Sequence, residues 1–135
     1  MAAGDIVNII ELLGNGGDPI RHTVADGTGI AKGEMLKLTD PRTAVVTSAD
    51  NDPFGGISAA EKVASDGSTS LAAYTHGIFD INASAAITVG EKVSVSGDNE
   101  VAKVAAPDLL FSCVGVALET ASTDEIIAVL VRGPY

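Results

Sequence analysis

The chain has 135 residues, 46% of them hydrophobic but only 4% aromatic, with no Trp, a single Cys and a net charge of −10. That length suits one domain, able to bury roughly two thirds of its unfolded surface without disulfides or metal. Eighteen acidic residues against eight scattered basic ones exclude a nucleic-acid binder, which needs clustered Lys and Arg to displace counterions.

Met1-Ala2-Ala3-Gly4-Asp5 carries no basic n-region, and the apolar stretch 6–13 is too short for a signal h-region or a membrane span. The chain is therefore expected to be made and used without crossing a membrane. Residues 6–13 hold four β-branched residues among eight and end at Gly14-Asn15-Gly16-Gly17-Asp18-Pro19, so they read as a strand or extended arm. Strands are then expected over 20–25, 34–39, 44–48, 56–63 and 71–81, followed by 92–96, 101–105, 113–119 and 126–132. Their separators are turn chemistry: Asp40-Pro41, Asp52-Pro53, Ser65-Asp66-Gly67, Ser96-Gly97-Asp98-Asn99 and Ser122-Thr123-Asp124. Many short strands at close spacing predict an all-β sandwich or barrel.

The strands come in two sets. Ile30-Ala31-Lys32-Gly33-Glu34 recurs 57 residues later as Ile87-Thr88-Val89-Gly90-Glu91, and at the same offset Thr23-Val24 falls on Asp80-Ile81 and Phe54 on Phe111. The register then slips by a residue or two. Gly56-Ile57-Ser58-Ala59 matches Gly115-Val116-Ala117-Leu118, and Thr75-His76-Gly77 matches Val131-Arg132-Gly133. The predicted fold is thus a compact β-barrel or β-sandwich built from two duplicated β-units, plus the N-terminal strand or arm. Residues 1–19 form the arm and 20–135 a single β domain, with repeats at about 20–76 and 77–133. Two similar sub-sheets related by a pseudo-twofold are expected inside it.

Few residues suggest chemistry. Gly33 and Gly90 supply tight corners before alternating strands, which places Glu34 and Glu91 beside turns instead of in a shared pocket. Counting from Asp50, Asp52 is third, Gly55 sixth, Ser58 ninth and Glu61 twelfth, as in a calcium loop. Pro53 and Phe54 interrupt that pattern, the flanks read as strands, and the second copy lacks the carboxylates, so an acidic loop is expected and no metal. Asp26-Gly27-Thr28-Gly29 breaks the Asp-Thr-Gly protease signature by an inserted Gly27. His22 and His76 lie at no metal-ligand spacing, and Cys113 reads as a small buried hydrophobe. No enzyme and no cofactor are expected. A hydrolase would require His22, Asp26 and Glu34 to converge in one cleft.

The succession Thr23-Val24, Ile30-Ala31-Lys32-Gly33-Glu34, Phe54-Gly55-Gly56-Ile57-Ser58-Ala59 and Tyr74-Thr75-His76-Gly77-Ile78-Phe79 resembles the small capsid cement or decoration proteins of tailed viruses. The resemblance covers residues 20 to about 95, and the remainder through the internal repeat. It implies a structural virion protein on the exterior of an icosahedral capsid, made in the host cytoplasm and stabilising contacts between major capsid protein subunits. It also implies a homo-oligomer, a trimer in preference to a dimer. Within that reading Ile6, Val7, Ile9, Ile10, Leu12 and Leu13 would dock on the shell or across the oligomer interface, or else complete the chain's own core. The alternative is a β-rich binding module of a fibre, baseplate or adhesion protein, with calcium as a ligand.

Overall fold

Each predicted unit closes into a barrel of its own. A computed structural model describes residues 8–12, 19–105 and 110–133. The first barrel comprises β2 (Ile20–Thr23), β3 (Met35–Thr39), β4 (Thr43–Val46), β5 (Phe54–Ser58) and β6 (Ser70–Tyr74), in the cyclic order β2-β4-β3-β5-β6. The second comprises β7 (His76–Ala83), β8 (Lys92–Val95), β9 (Glu100–Lys103), β10 (Cys113–Ala117) and β11 (Ile126–Arg132), ordered β7-β11-β10-β8-β9 and closed by a parallel β7–β9 pairing. β1 (Asn8–Glu11) pairs antiparallel with β7. The fold is therefore all-β, built of two units plus an N-terminal strand. The two sub-sheets do not share one barrel, because each finds the partner for its edge strands within its own repeat, which removes the open edges.

The hydrogen bonds make the two units equivalent. Gly33 N donates to Ser58 O at 2.9 Å and Gly90 N to Ala117 O at 2.8 Å, with φ of 91° and 89°. Ile30 and Lys62 form a bridge, as do Ile87 and Ala121. These bonds bear out the match of Ser58 to Ala117. They also equate Phe54, the first residue of β5, with Cys113, the first of β10, and not with Phe111. Phe54 is fully buried, whereas Phe111 is 50% exposed in the 3-10 turn Leu110–Ser112, because the second unit has the longer connection ahead of this strand. The strand expected over 71–81 is two strands, β6 and β7. The chain leaves one barrel and enters the other at Thr75, whose carbonyl accepts a hydrogen bond from Gly133 N at 2.9 Å.

Packing is uneven between the units. The first barrel encloses Val24, Ile30, Leu36, Ala44, Leu71 and Ala73. Its larger buried side chains Met35, Phe54 and Ile57 instead join Phe79, Ile81, Val114 and Val129 in the cluster that fills the second barrel and the junction. Burial of such side chains stabilises by roughly 1.5–3 kcal/mol each, so the junction is part of the core and not a loose contact. A buried polar staple fixes its geometry. Asn99, in the β8–β9 turn at φ 58°, accepts from Met35 N through Oδ1 at 2.9 Å, and its own N donates to Thr47 Oγ1 at 3.0 Å. Asn51 N donates to Val95 O at 2.9 Å beside it.

Candidate docking surface

Because both barrels are closed rings, β1 is the one strand among those described that pairs along a single side. Its register against β7 runs Asn8 to Asp80, Ile9 to Phe79 and Glu11 to Ile78, with a bulge between Ile9 and Glu11. The bulge spoils simple alternation: Ile9 and Leu12 are half-buried against the core, while Ile10 is 52% exposed. Of the six arm residues expected to dock, then, Ile9 and Leu12 help complete the chain's own core and Ile10 faces outward. Ile6, Val7 and Leu13 lie outside the described residues.

The residues that suggested chemistry are held in separate structural roles. Glu91 caps its own turn, Oε1 accepting from Thr88 N at 2.7 Å and Oε2 lying 3.0 Å from Lys103 Nζ; the Thr88 bond first and then Lys103 hold its carboxyl below the usual range. Burial, with the charge of Asp98, pushes Glu34 the other way. The two repeated glutamates thus have different neighbours and make no acid/base pair. Asp52 spends its Oδ2 on Ser48 N and Ala49 N, both at 2.9 Å, with Lys37 Nζ at 3.4 Å. The backbone hydrogen bonds and Lys37 outweigh burial, which would raise its pKa, and hold the carboxyl low. Ile57 and Ser58 are buried in β5, so the calcium-loop pattern is interrupted by a core strand. Among the described residues no three His, Cys, Asp or Glu side chains gather as a metal site. Burial pushes the Cys113 thiol up.

Nor do His22, Asp26 and Glu34 share partners. His22 Nε2 lies 3.1 Å from Gly55 O, and Asp26 serves Lys62 and Gly67 N. Lys62 is the residue that sequence reasoning missed. Its buried ammonium contacts Asp26 O at 2.9 Å, Asp26 Oδ1 at 3.2 Å, Val63 O at 3.0 Å and Asp66 Oδ1 at 2.7 Å, tying together the loops at one end of the first barrel. Burial alone would depress its pKa, but the hydrogen bonds it donates to Asp66 and Asp26 outweigh that and raise it. Its counterpart in the second barrel is Ala121. The Lys62–Asp66 spacing was the only local signal, since Asp26 lies 36 residues away.

His22 gives a pH prediction. Burial lowers its pKa from 6.5, the Gly55 carbonyl opposes that, and Arg42 adds to it. The unfolded chain therefore binds this proton more readily than the folded one, so stability is full above pH 6.5 and falls as pH drops through the window below it. Subtracting thermal melts of His22→Gln from those of the native chain across pH 5–8 should isolate this slope. Identical pH dependence in the two chains would contradict it.

A family model described as phage cement protein matches residues 15–133. No curated protein matches the chain. Among solved structures, the crystal structure of the N base of the head fiber gp8.5 in bacteriophage phi29 is similar, with 13% identity, a TM-score of 0.55, and coverage of 87% of this chain and 98% of that one. At that identity the likeness is one of fold.

Proposed function

This chain belongs to the phage cement protein family, a class of structural virion proteins, and we propose that it sits on the exterior of an icosahedral capsid and stabilises contacts between major capsid protein subunits. The family match over residues 15–133 carries the reading. In it, residues 20–135 are the single β domain and residues 1–19 the arm, with Ile10 and the free edge of β1 meeting the shell, and with Ile6, Val7 and Leu13 extending that contact. An edge strand offers unpaired backbone groups to an extended partner segment, and every other described strand is paired on both sides within its barrel. We further propose a homo-oligomer, a trimer in preference to a dimer, because several weak contacts on a symmetric lattice then act together. Synthesis in the host cytoplasm and the absence of catalysis, cofactor, nucleic-acid and membrane partners belong to the same reading.

The test is quantitative mass spectrometry of purified particles, with a copy number comparable to the major capsid protein as the expected result. Absence from particles would end the reading. The likeness to a head-fibre base favours a second one, in which the two barrels form the base of a fibre on the head; its signature is a copy number far below that of the capsid subunit. Ile10→Glu probes the docking edge. As an exposed substitution it should change stability by less than about 0.5 kcal/mol while lowering decoration of bare shells about tenfold or more. Wild-type decoration by Ile10→Glu would remove the β1 edge from the contact.

A further inference from the structure

Charge is distributed unevenly along the first barrel. At one end, Arg21 on β2 and Arg42 in the β3–β4 turn lie side by side and exposed, with Arg42 Nε donating to Arg21 O at 3.3 Å. Arg21 Nη1 also donates to Ser70 Oγ at 3.3 Å, and neither guanidinium has a carboxylate within ion-pair distance among the described residues. In an acidic chain, two adjacent guanidiniums left without a carboxylate are out of place.

The opposite end carries the complement. Glu34 precedes the first residue of β3, and Arg42 follows its last by three, so the five-residue strand separates the two ends by roughly 17 Å. Asp98 acts on both Glu34, at the barrel junction, and Glu100, with Asp50 and Asp124 also acting on Glu100. Burial first, and then these like charges, push the carboxyls of Glu34 and Glu100 up; the Asn82 hydrogen bond only partly offsets this at Glu100. No basic side chain pairs with Glu34, Asp50, Asp98, Glu100 or Asp124 among the described residues. Asn82, 1% exposed, donates through Nδ2 to Glu100 Oε2 at 2.7 Å, while Oδ1 of the same amide has no hydrogen-bond partner among the described residues.

Equivalence between the barrels supplies the mode of contact. Arg42 and Asn99 occupy the same place in their units, each in a hairpin turn with positive φ, 47° and 58°. The Asn99 turn is plugged into the junction; the Arg42 turn projects into solvent from the other end. We infer that copies of this chain associate head to tail, the Arg21–Arg42 end of the first barrel of one copy seating against the Glu34–Asp98–Glu100 carboxylates at the barrel junction of the next. The two surfaces differ, so the contact is heterologous. It closes a ring where the rotation allows, and a ring of three satisfies the oligomer proposed above. The inference deepens that oligomeric reading.

The test is sedimentation velocity on the purified full chain, in the absence of shells, so that self-association and shell binding are scored separately. The native chain should form a closed oligomer that dissociates as salt rises from about 0.05 to 0.5 M. Arg21→Glu/Arg42→Glu and Glu34→Lys/Asp98→Lys should each weaken association about tenfold or more. A 1:1 mixture of the two variants should restore a heterodimer, since one of its contacts pairs reversed charges on both sides. Circular dichroism and melting check that each variant is folded; if the arginine reversal disturbs the β2–β4 seam, Arg21→Gln with Arg42 retained reads the same contact. A native chain that remains monomeric, an arginine variant that assembles like the native chain, or a mixture without rescue would each overturn the inference. Monomers whose arginine variant fails to decorate shells would assign the arginine pair to the capsid instead.

Discussion

Gly115→Ala should be the most damaging small substitution in this protein. Gly115 lies in β10, between β8 and β11, where the β8 pairing slips by one residue. A Cβ added there collides with the Leu130 carbonyl oxygen, and it also comes to 2.8 Å from Leu130 C and 3.0 Å from Val131 Cα. All three atoms are backbone of β11, so no side chain can swing aside, and relief would require two central strands to separate. Overpacking in a core ordinarily costs about 1–3 kcal/mol; here a loss of at least about 3 kcal/mol is expected, against a total stability of roughly 5–15 kcal/mol. The equivalent position in the first barrel behaves alike. Gly56 at φ 119° would place a Cβ 2.8 Å from Tyr74 O and 3.1 Å from Ala73 Cβ. Gly27→Ala, whose added Cβ meets nothing within 4 Å, is the control and should stay within about 0.5 kcal/mol of the native chain. Urea denaturation reads all three. Gly115→Ala with native stability would mean that β10 and β11 do not approach as closely as described.

These glycines also show what was legible beforehand. Gly33-Glu34 and Gly90-Glu91 repeat visibly because a corner at φ near 90° admits little but glycine, and Gly56 and Gly115 recur because each lies against the carbonyl of the next strand. Backbone requirements of this kind leave a mark on single positions, which is why the duplication could be read. Closure into two rings left no such mark. It depends on which distant strands pair, and the first barrel is completed by a single parallel pair, Thr23 with Thr43. The break at Thr75 was hidden because β6 and β7 are separated by that single residue, which leaves no room for a cluster of turn residues between them.

The arm was legible as an apolar strand outside the repeats but not in its facing. Ile9 and Leu12 lie three apart on the core side, a spacing that a regular strand forbids and the bulge before Glu11 permits. Lys62 was illegible for another reason. A charged residue reads as solvent-exposed unless its partners are known, and one of them, Asp26, approaches only once the barrel closes. The equation of Phe54 with Phe111 was a coincidence of spacing, undone by the longer connection ahead of β10, which leaves one ring in the core and the other in water.

Asn99→Ala should come next in effect, because it acts at a buried polar contact that helps to fix the mutual placement of the barrels. Asn99 is 2% exposed, and replacing it removes the acceptor for Met35 N, leaving a buried N–H unpaired at a cost of about 1–3 kcal/mol. Alanine at φ 58° adds strain of about 1–2 kcal/mol that asparagine tolerates better. The sum, roughly 2–5 kcal/mol, corresponds to a fall in Tm on the order of 6–20 °C for a chain of this size. Asn99→Gly separates the two contributions, since it keeps the backbone relaxed while losing the side chain's hydrogen bonds; it should therefore be the milder variant. Hydrogen exchange should show where the loss falls. The first barrel, whose own cluster lacks Phe and leans on the junction through Met35, Phe54 and Ile57, should open before the second in Asn99→Ala. Equal stability of Asn99→Ala and the native chain, or loss of protection spread evenly over both barrels, would show that the apolar junction alone holds the two units in place.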